Sequence, residues 1–248
     1  MDFNTEFFIT LTIILSISSM FHGTIGFGFP MISTPLLAMV TDIKTAIVYV
    51  AIPTLLINII SIISEGNFFE AIKKFYPLII LTMIGSAIGT QILIYSSSEY
   101  FKLLLAFSIL FYLFIQKIKI EMRWVKERKR LSLVIFGLLA GIIGGLTNVM
   151  ASILIIYSME SKHSKKEMIQ SSNLCFLFGK IIQIVLFSIH GAFTQEIVVT
   201  TFGSLIFILI AMFFGLKIKS KIPQESYRKV IKPLLFLMAV ILIYQTIS

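Results

Sequence analysis

Phe21-His-Gly-Thr-Ile-Gly-Phe-Gly-Phe-Pro30 interrupts an apolar segment that runs from residue 7 to residue 40. Three glycines and a proline within eight positions make a poor helix interior. Each Gly there costs about 1 kcal/mol and Pro about 3 kcal/mol. Inside hydrocarbon, a loosened backbone survives only where protein or a watered cavity surrounds it. The stretch predicts a helix broken near the membrane midplane, at a place where a solute binds.

Composition decides the class. Apolar residues make up 57% of 248 and charged residues 13%, and apolar runs of about eighteen residues or more recur along the chain. This is the pattern of an all-α polytopic membrane protein, with about eight apolar segments. The alternation of a membrane barrel is absent from the runs. The opening residues carry Asp2 and Glu6 but no Lys or Arg, so the basic region of a cleavable signal peptide is missing. The lone Cys175 excludes an internal disulfide and a cysteine metal cluster. No cofactor or metal is expected. The net charge of +9 sits in short loops between apolar runs, so topology rather than nucleic acid explains it. The expected partners are the lipid bilayer and a small anion, with the oligomeric state open.

The chain divides into a first transmembrane unit (1–116), a basic connector (117–130) and a second unit (131–248). The connector packs seven basic residues and two glutamates into fourteen positions. Each unit opens with a Gly-rich broken or re-entrant segment and continues with three apolar runs. Laid over each other, the units match Gly26 with Gly145, Met31 with Met150 and Ser33 with Ser152, an offset of 119. Further on the offset becomes 122, which sets Asn58 against Lys180. Ser98-Glu-Tyr-Phe-Lys102 likewise resembles Glu225-Ser-Tyr-Arg-Lys229. Matches in one consistent order argue for two tandem repeats.

Loop charge tells which way round the repeats lie. If both Gly-rich segments cross the membrane once, the loops hold nine basic residues on one side and eleven on the other. If each segment enters and returns on one side, eighteen share a side, against Lys44 and Lys102 alone. The second division is the one the positive-inside rule asks for. It makes the repeats inverted and both termini external. Length agrees, since residues 7–40 as one helix would span about 51 Å against roughly 30 Å of hydrocarbon. Two limbs of about 24 and 15 Å fit better. The competing reading is a long kinked span with charges distributed by accident.

A half-helix that begins inside the membrane aims free N–H groups and a positive dipole end at the protein centre. Gly23, Gly26, Gly28, Pro30, Ser33 and Thr34 frame one such start; Gly145, Thr147, Asn148 and Ser152 frame the other. These ends favour an anion. Glycines at this spacing also permit plain helix packing, which Gly85-x-x-x-Gly89 and Gly137-x-x-x-Gly141-x-x-x-Gly145 suggest. Lys180 stands mid-run, where a cation costs at least about 2.5–3.5 kcal/mol and marks a functional site by default. Asn173 and Gln183 fall on its helical stripe, and no carboxylate lies within an apolar run to neutralise it. A substrate anion would; the bland reading is a Lys satisfied by neutral groups. Asn58 serves either as a site residue or as interhelical glue. His22 serves as a proton carrier or, more simply, as a hydrogen-bonded structural group.

The two Gly-rich motifs carry a resemblance. Gly23-x-x-Gly-x-Gly-x-Pro30 followed by Ser-Thr-Pro35, with Gly141-x-x-Gly-Gly145 in the second unit, resembles the TauE/SafE sulfite exporter family. The resemblance covers nearly the whole chain. It implies a bacterial inner-membrane permease, not an enzyme, exporting sulfite or related organosulfur anions. Thr147-Asn148-Val-Met150-Ala151 replaces the further glycines of the family's second motif. An inside-negative potential by itself drives an anion outward, at about 2.3 kcal/mol per charge per 100 mV. The alternatives are an importer of another small anion or metabolite, and an intramembrane enzyme. The enzyme reading finds no His-Glu-x-x-His, Gly-x-Ser-x-Gly or paired intramembrane aspartates to stand on.

Overall fold

Gly26 and Gly28 end one helix and start the next because both adopt positive φ, +99° and +103°, where a side chain is strained. The structure, a computed structural model, describes residues 4–115, 122–219 and 224–247. α1 (Thr5–Ile25) runs into this break and α2 (Phe29–Ala38) leaves it. α3 (Ile43–Glu65), α4 (Phe68–Tyr95) and α5 (Glu99–Ile115) follow. A short α6 (Arg123–Glu127) leads to α7 (Lys129–Thr147) and α8 (Ala151–Glu160). α9 (Lys165–Ile189), α10 (Gln195–Lys219) and α11 (Gln224–Ile247) complete the chain. The connector's Lys117, Lys119 and Glu121, and Lys221, lie outside the described residues.

Among the described residues every regular element is a helix, and α1, α3, α4, α7, α9 and α10 are long and apolar enough to cross a membrane. Their surfaces say the same. Ile80, Ile84, Ile88 and Ile92 form an exposed apolar ridge down α4, while Thr82, Ser86, Gly89 and Thr90 are buried on its inner face. On α10, Phe202, Ile206 and Phe213 face outward, whereas Thr201, Ser204 and Gly215 face inward. Water would not tolerate apolar ridges of this extent, and lipid does. This is a polytopic all-α membrane protein.

Helix lengths run in parallel: α1 and α7 have 21 and 19 residues, α2 and α8 ten each, and α3 and α9 23 and 25. Phe29 and Ala151 open α2 and α8, and Ile43 and Lys165 open α3 and α9, in both cases 122 positions apart. The same interval sets Gly26 against Asn148, the left-handed residue that ends α7 at φ +65°. Asn tolerates this conformation better than most side chains do. At the 122 interval Gly23 falls on Gly145, whereas at the 119 interval Gly26 does.

Packing is reciprocal. α1 lies chiefly on α10, and α7 on α4; α3 packs on α9, and α5 on α11. Glycines set the two crossings. A methyl group on Gly23 would lie 2.7 Å from the Met212 carbonyl oxygen and 3.0 Å from Gly215 Cα. On Gly145 it would lie 2.7 Å from the Ser86 carbonyl oxygen and 2.8 Å from the Thr90 nitrogen. Gly85 and Gly89 meet the Leu138 and Ile142 carbonyls in the same way. Small residues let these backbones touch, which is what drives helix association in lipid.

Contacts at the helix ends sort the loops. Lys74 at the start of α4 pairs with Glu167 at the start of α9, and Lys219 at the end of α10 pairs with Glu65 at the end of α3. The Met122 N–H donates to Glu160 at the end of α8 (2.8 Å). At the opposite end, Lys44 donates to the Ile94 carbonyl (3.1 Å), Tyr95 meets His190 (3.0 Å), and Gln245 donates to Met39 O (3.3 Å). The rings of Phe7, at the start of α1, and Tyr49 stand 5.3 Å apart. One expectation on length changes. α1 and α7 have 21 and 19 residues, about 31 and 28 Å, so the first limbs are longer than the 24 Å anticipated.

Candidate functional site

α9 is the helix that touches both breaks. Its Asn173 Nδ2 donates to the Gly26 carbonyl (2.6 Å), which also accepts from Ser61 Oγ (3.1 Å). These bonds satisfy a carbonyl freed by the end of α1. Two turns along α9, Lys180 Nζ donates to Asn148 Oδ1 and to Gln183 Oε1. Asn148 Nδ2 in turn donates to Thr34 Oγ1 on α2 (2.9 Å), and Gln183 Nε2 to the Gly145 carbonyl (3.0 Å). The two breaks are therefore staggered by about 10 Å along α9 and joined through Thr34.

Lys180 is 2% exposed, and both of its partners are neutral amides. Among the described residues no carboxylate pairs with it. An ammonium has three donors, and the two amide oxygens take two. A buried lysine with one donor unassigned marks a candidate functional position.

The two half-helix starts are unequal. At α2, His22 Nδ1 accepts the Phe29 N–H (3.2 Å), and Pro30 has no N–H to offer. Because Nδ1 accepts, the proton of neutral His22 is on Nε2, buried toward the Asn173 side chain. His22 is thus a cap, and the dipole end of α2 is largely spent. At α8, no side chain caps the start, and Ala151, Ser152 and Ile153 occupy the positions whose N–H groups lack helical partners. This freer end begins three residues after Asn148, whose Oδ1 accepts from Lys180.

The remaining sequence-derived residues fall into place around these groups. Gly28 is the left-handed residue before α2. Ser33 Oγ bonds back to the Phe29 carbonyl (2.9 Å), within its own helix. Thr147 Oγ1 donates to Ile143 O (2.8 Å) and accepts the Val149 N–H (3.2 Å), closing the second break on itself. Gly23 and Gly145 lie at helix crossings, and Gly145 also offers its carbonyl to Gln183. Ser152 lines a cleft of about 260 Å³ with Ser108, Phe111 and Ile143. Asn58 is fully buried with both amide atoms unpaired, as is Asn173 Oδ1. Unpaired buried amides cost about 1–3 kcal/mol each, a strain that a ligand or water would relieve.

Gln183 was read from sequence as polar company on the Lys180 stripe but not placed among the site residues, and Ser61 was not singled out. Ser61 is the counterpart of Gln183 at the 122 interval. Asn148→Ala removes partners of both Lys180 and Thr34. It is expected to weaken anion affinity about tenfold and stability by about 1–3 kcal/mol, as read by titration and thermal unfolding.

No curated protein and no solved structure matches the chain. The sequence model of the sulfite exporter TauE/SafE family matches residues 11–242, nearly the whole length. It takes in both breaks and all the polar groups described above. With six long apolar helices around a buried polar interior, the chain belongs to the TauE/SafE family of membrane transporters.

Proposed function

We propose that the protein exports a small anion, sulfite or an organosulfur anion, across the bacterial inner membrane through a site between the two helix breaks. The observation that carries this reading is Lys180, a buried cation held by two neutral amides, one of them Asn148, three residues before the uncapped start of α8. Asn148 and Thr34 tie that charge to α2, and Asn173, Asn58 and His22 offer further polar atoms toward the first break. An anion entering this space gains an ammonium donor and a helix dipole end together. In the same reading the two halves are inverted repeats, α1–α2 and α7–α8 are re-entrant pairs, and both termini are external. The reciprocal packing, the 122 interval and the end contacts support it.

Flux tests the mechanism. In vesicles, efflux of sulfite is expected to rise with an inside-negative potential and to persist with a proton ionophore. Efflux that ignores a clamped potential and stops with the ionophore would rule out potential-driven export. Labelling tests the topology. Ser97→Cys and Ser161→Cys are expected to react from opposite sides of the membrane, with little background because Cys175 is fully buried. Labelling from one side would return the fold to eight plain crossings.

A further inference from the structure

A second cluster of charge lies outside the transport path. Lys74, Lys129, Arg130 and His163 line a cleft of about 260 Å³, whose other walls include Leu78 and Leu133. It opens where α4, α7 and α9 begin and α8 ends, the same end of the bundle as the Lys74–Glu167 pair. Three features of it are unexplained by folding. Lys129 and Arg130 occupy the first turn of α7, where the helix dipole repels cations. That turn contains no acidic residue and no side-chain cap. The His163 imidazole is clamped edge-on between Phe75 and Tyr157, 5.4 and 5.8 Å from them, and its Nδ1 is buried without a partner. Burial, with Lys74 adding to it and Glu167 opposing, holds His163 below the usual histidine range. A neutral imidazole there still has a proton to donate at Nδ1.

We propose that this cleft binds a phosphate group, that of an anionic phospholipid headgroup. A phosphodiester at the start of α7 would sit on its free N–H groups and neutralise Lys129 and Arg130. It would also accept from His163. The choice of lipid rests on the cleft's other half. Leu78 and Leu133 continue the charged end into an apolar wall, and the neighbouring Leu131 and Val134 are 45% and 41% exposed on the outer face of α7. A headgroup with its acyl chain fits both halves, and basic pockets between helices at the membrane surface take such lipids. Glu167, across the cleft on α9, is already engaged by Lys74 and by the Ser164 N–H.

The test compares the full-length protein with Lys129→Ala/Arg130→Ala and, separately, His163→Ala in nanodiscs. The discs contain phosphatidylcholine alone, phosphatidylcholine with phosphatidylglycerol, or phosphatidylcholine with added inorganic phosphate. Phosphatidylglycerol is expected to raise the melting temperature of the parent by about 5–10 °C at hundredfold excess over its dissociation constant. The double variant is expected to lose that rise, with its melting temperature in plain phosphatidylcholine unchanged. Native mass spectrometry should show one retained phosphatidylglycerol fewer on the double variant, which keeps the result readable if His163→Ala misfolds. An equal rise with inorganic phosphate, lost in the double variant, would keep the phosphate site and reassign its source. A rise that survives in the double variant, or no rise in any disc, overturns the proposal. So does a double variant that binds lipid normally but moves sulfite more slowly, which would make the cleft an electrostatic funnel for substrate.

Discussion

Lys180→Met is expected to leave the protein folded and to remove its affinity for the transported anion. The two halves of that result have separate causes. Methionine nearly matches the lysine stem, so packing in the tightly filled interior is kept. It leaves Asn148 Oδ1 and Gln183 Oε1 without a donor, at about 1–3 kcal/mol each. Against this, removing an intramembrane charge recovers at least about 2.5–3.5 kcal/mol. The two nearly cancel, and the melting temperature should stay within about 5 °C of the parent. Binding has no such compensation. Loss of a buried charge-assisted donor costs about 2–4 kcal/mol, roughly 30- to 700-fold in Kd. Calorimetric titration with sulfite, sulfonates and thiosulfate reads the affinity, and a thermal scan reads the fold. A Lys180→Met protein that binds these anions as the parent does takes Lys180 out of the site. A variant that simply unfolds makes it a structural lysine.

Gly141→Leu is expected to prevent folding, with the loss falling on stability rather than on anion recognition. Any side chain on Gly141 meets the Thr82 carbonyl and then Gly85 Cα, and neither can rotate away because both are backbone. α4 and α7 must separate along the crossing that Gly85, Gly89 and Gly145 also form. Overpacking of flexible side chains costs about 1–3 kcal/mol. Forcing two backbones apart along a whole interface costs more, and a domain with about 5–15 kcal/mol in total has little in reserve. Gly179→Ala is the control. Its methyl group would find only ordinary contacts, at 3.5 Å from Met150 Cε and Ser86 Oγ, and Ala is the better helix former by about 1 kcal/mol. Yield of monodisperse protein in detergent, and its thermal unfolding, should fall sharply for the first variant and hold for the second. A Gly141→Leu protein as stable as the parent would mean that the α4–α7 contact is not close-packed.

Phe21 to Pro30 shows how far sequence reasoning reaches. Its glycines and proline forbid a continuous helix, and the break occurs there, with Gly26 and Gly28 as the two left-handed residues. The function of each glycine was not legible, because Gly23 and Gly26 look alike in sequence and differ only in what stands opposite them. Gly23 meets the backbone of α10, and Gly26 presents its carbonyl to Asn173 and Ser61. His22 illustrates the same limit. A histidine beside a break reads equally as proton carrier or cap, and only the 3.2 Å contact from Phe29 N makes it a cap. Lys180 was legible as an anomaly, since a charge in mid-span is costly in any arrangement.

By itself the sequence determined the membrane class, the positions of both breaks and the intramembrane charge. All three follow from local costs: hydrocarbon excludes charge and unpaired backbone, and Gly and Pro end helices wherever they cluster. The partners of the two breaks were decided only by the tertiary structure, which sets Asn173 and Ser61 on the Gly26 carbonyl and Lys180 and Thr34 on Asn148. The difference between the two half-helix starts was also decided there. His22 and Pro30 quiet the first, whereas Asn148 gives its side chain to Lys180 and leaves the second open. That asymmetry depends on contacts between residues 7 to 114 positions apart, which no local preference encodes.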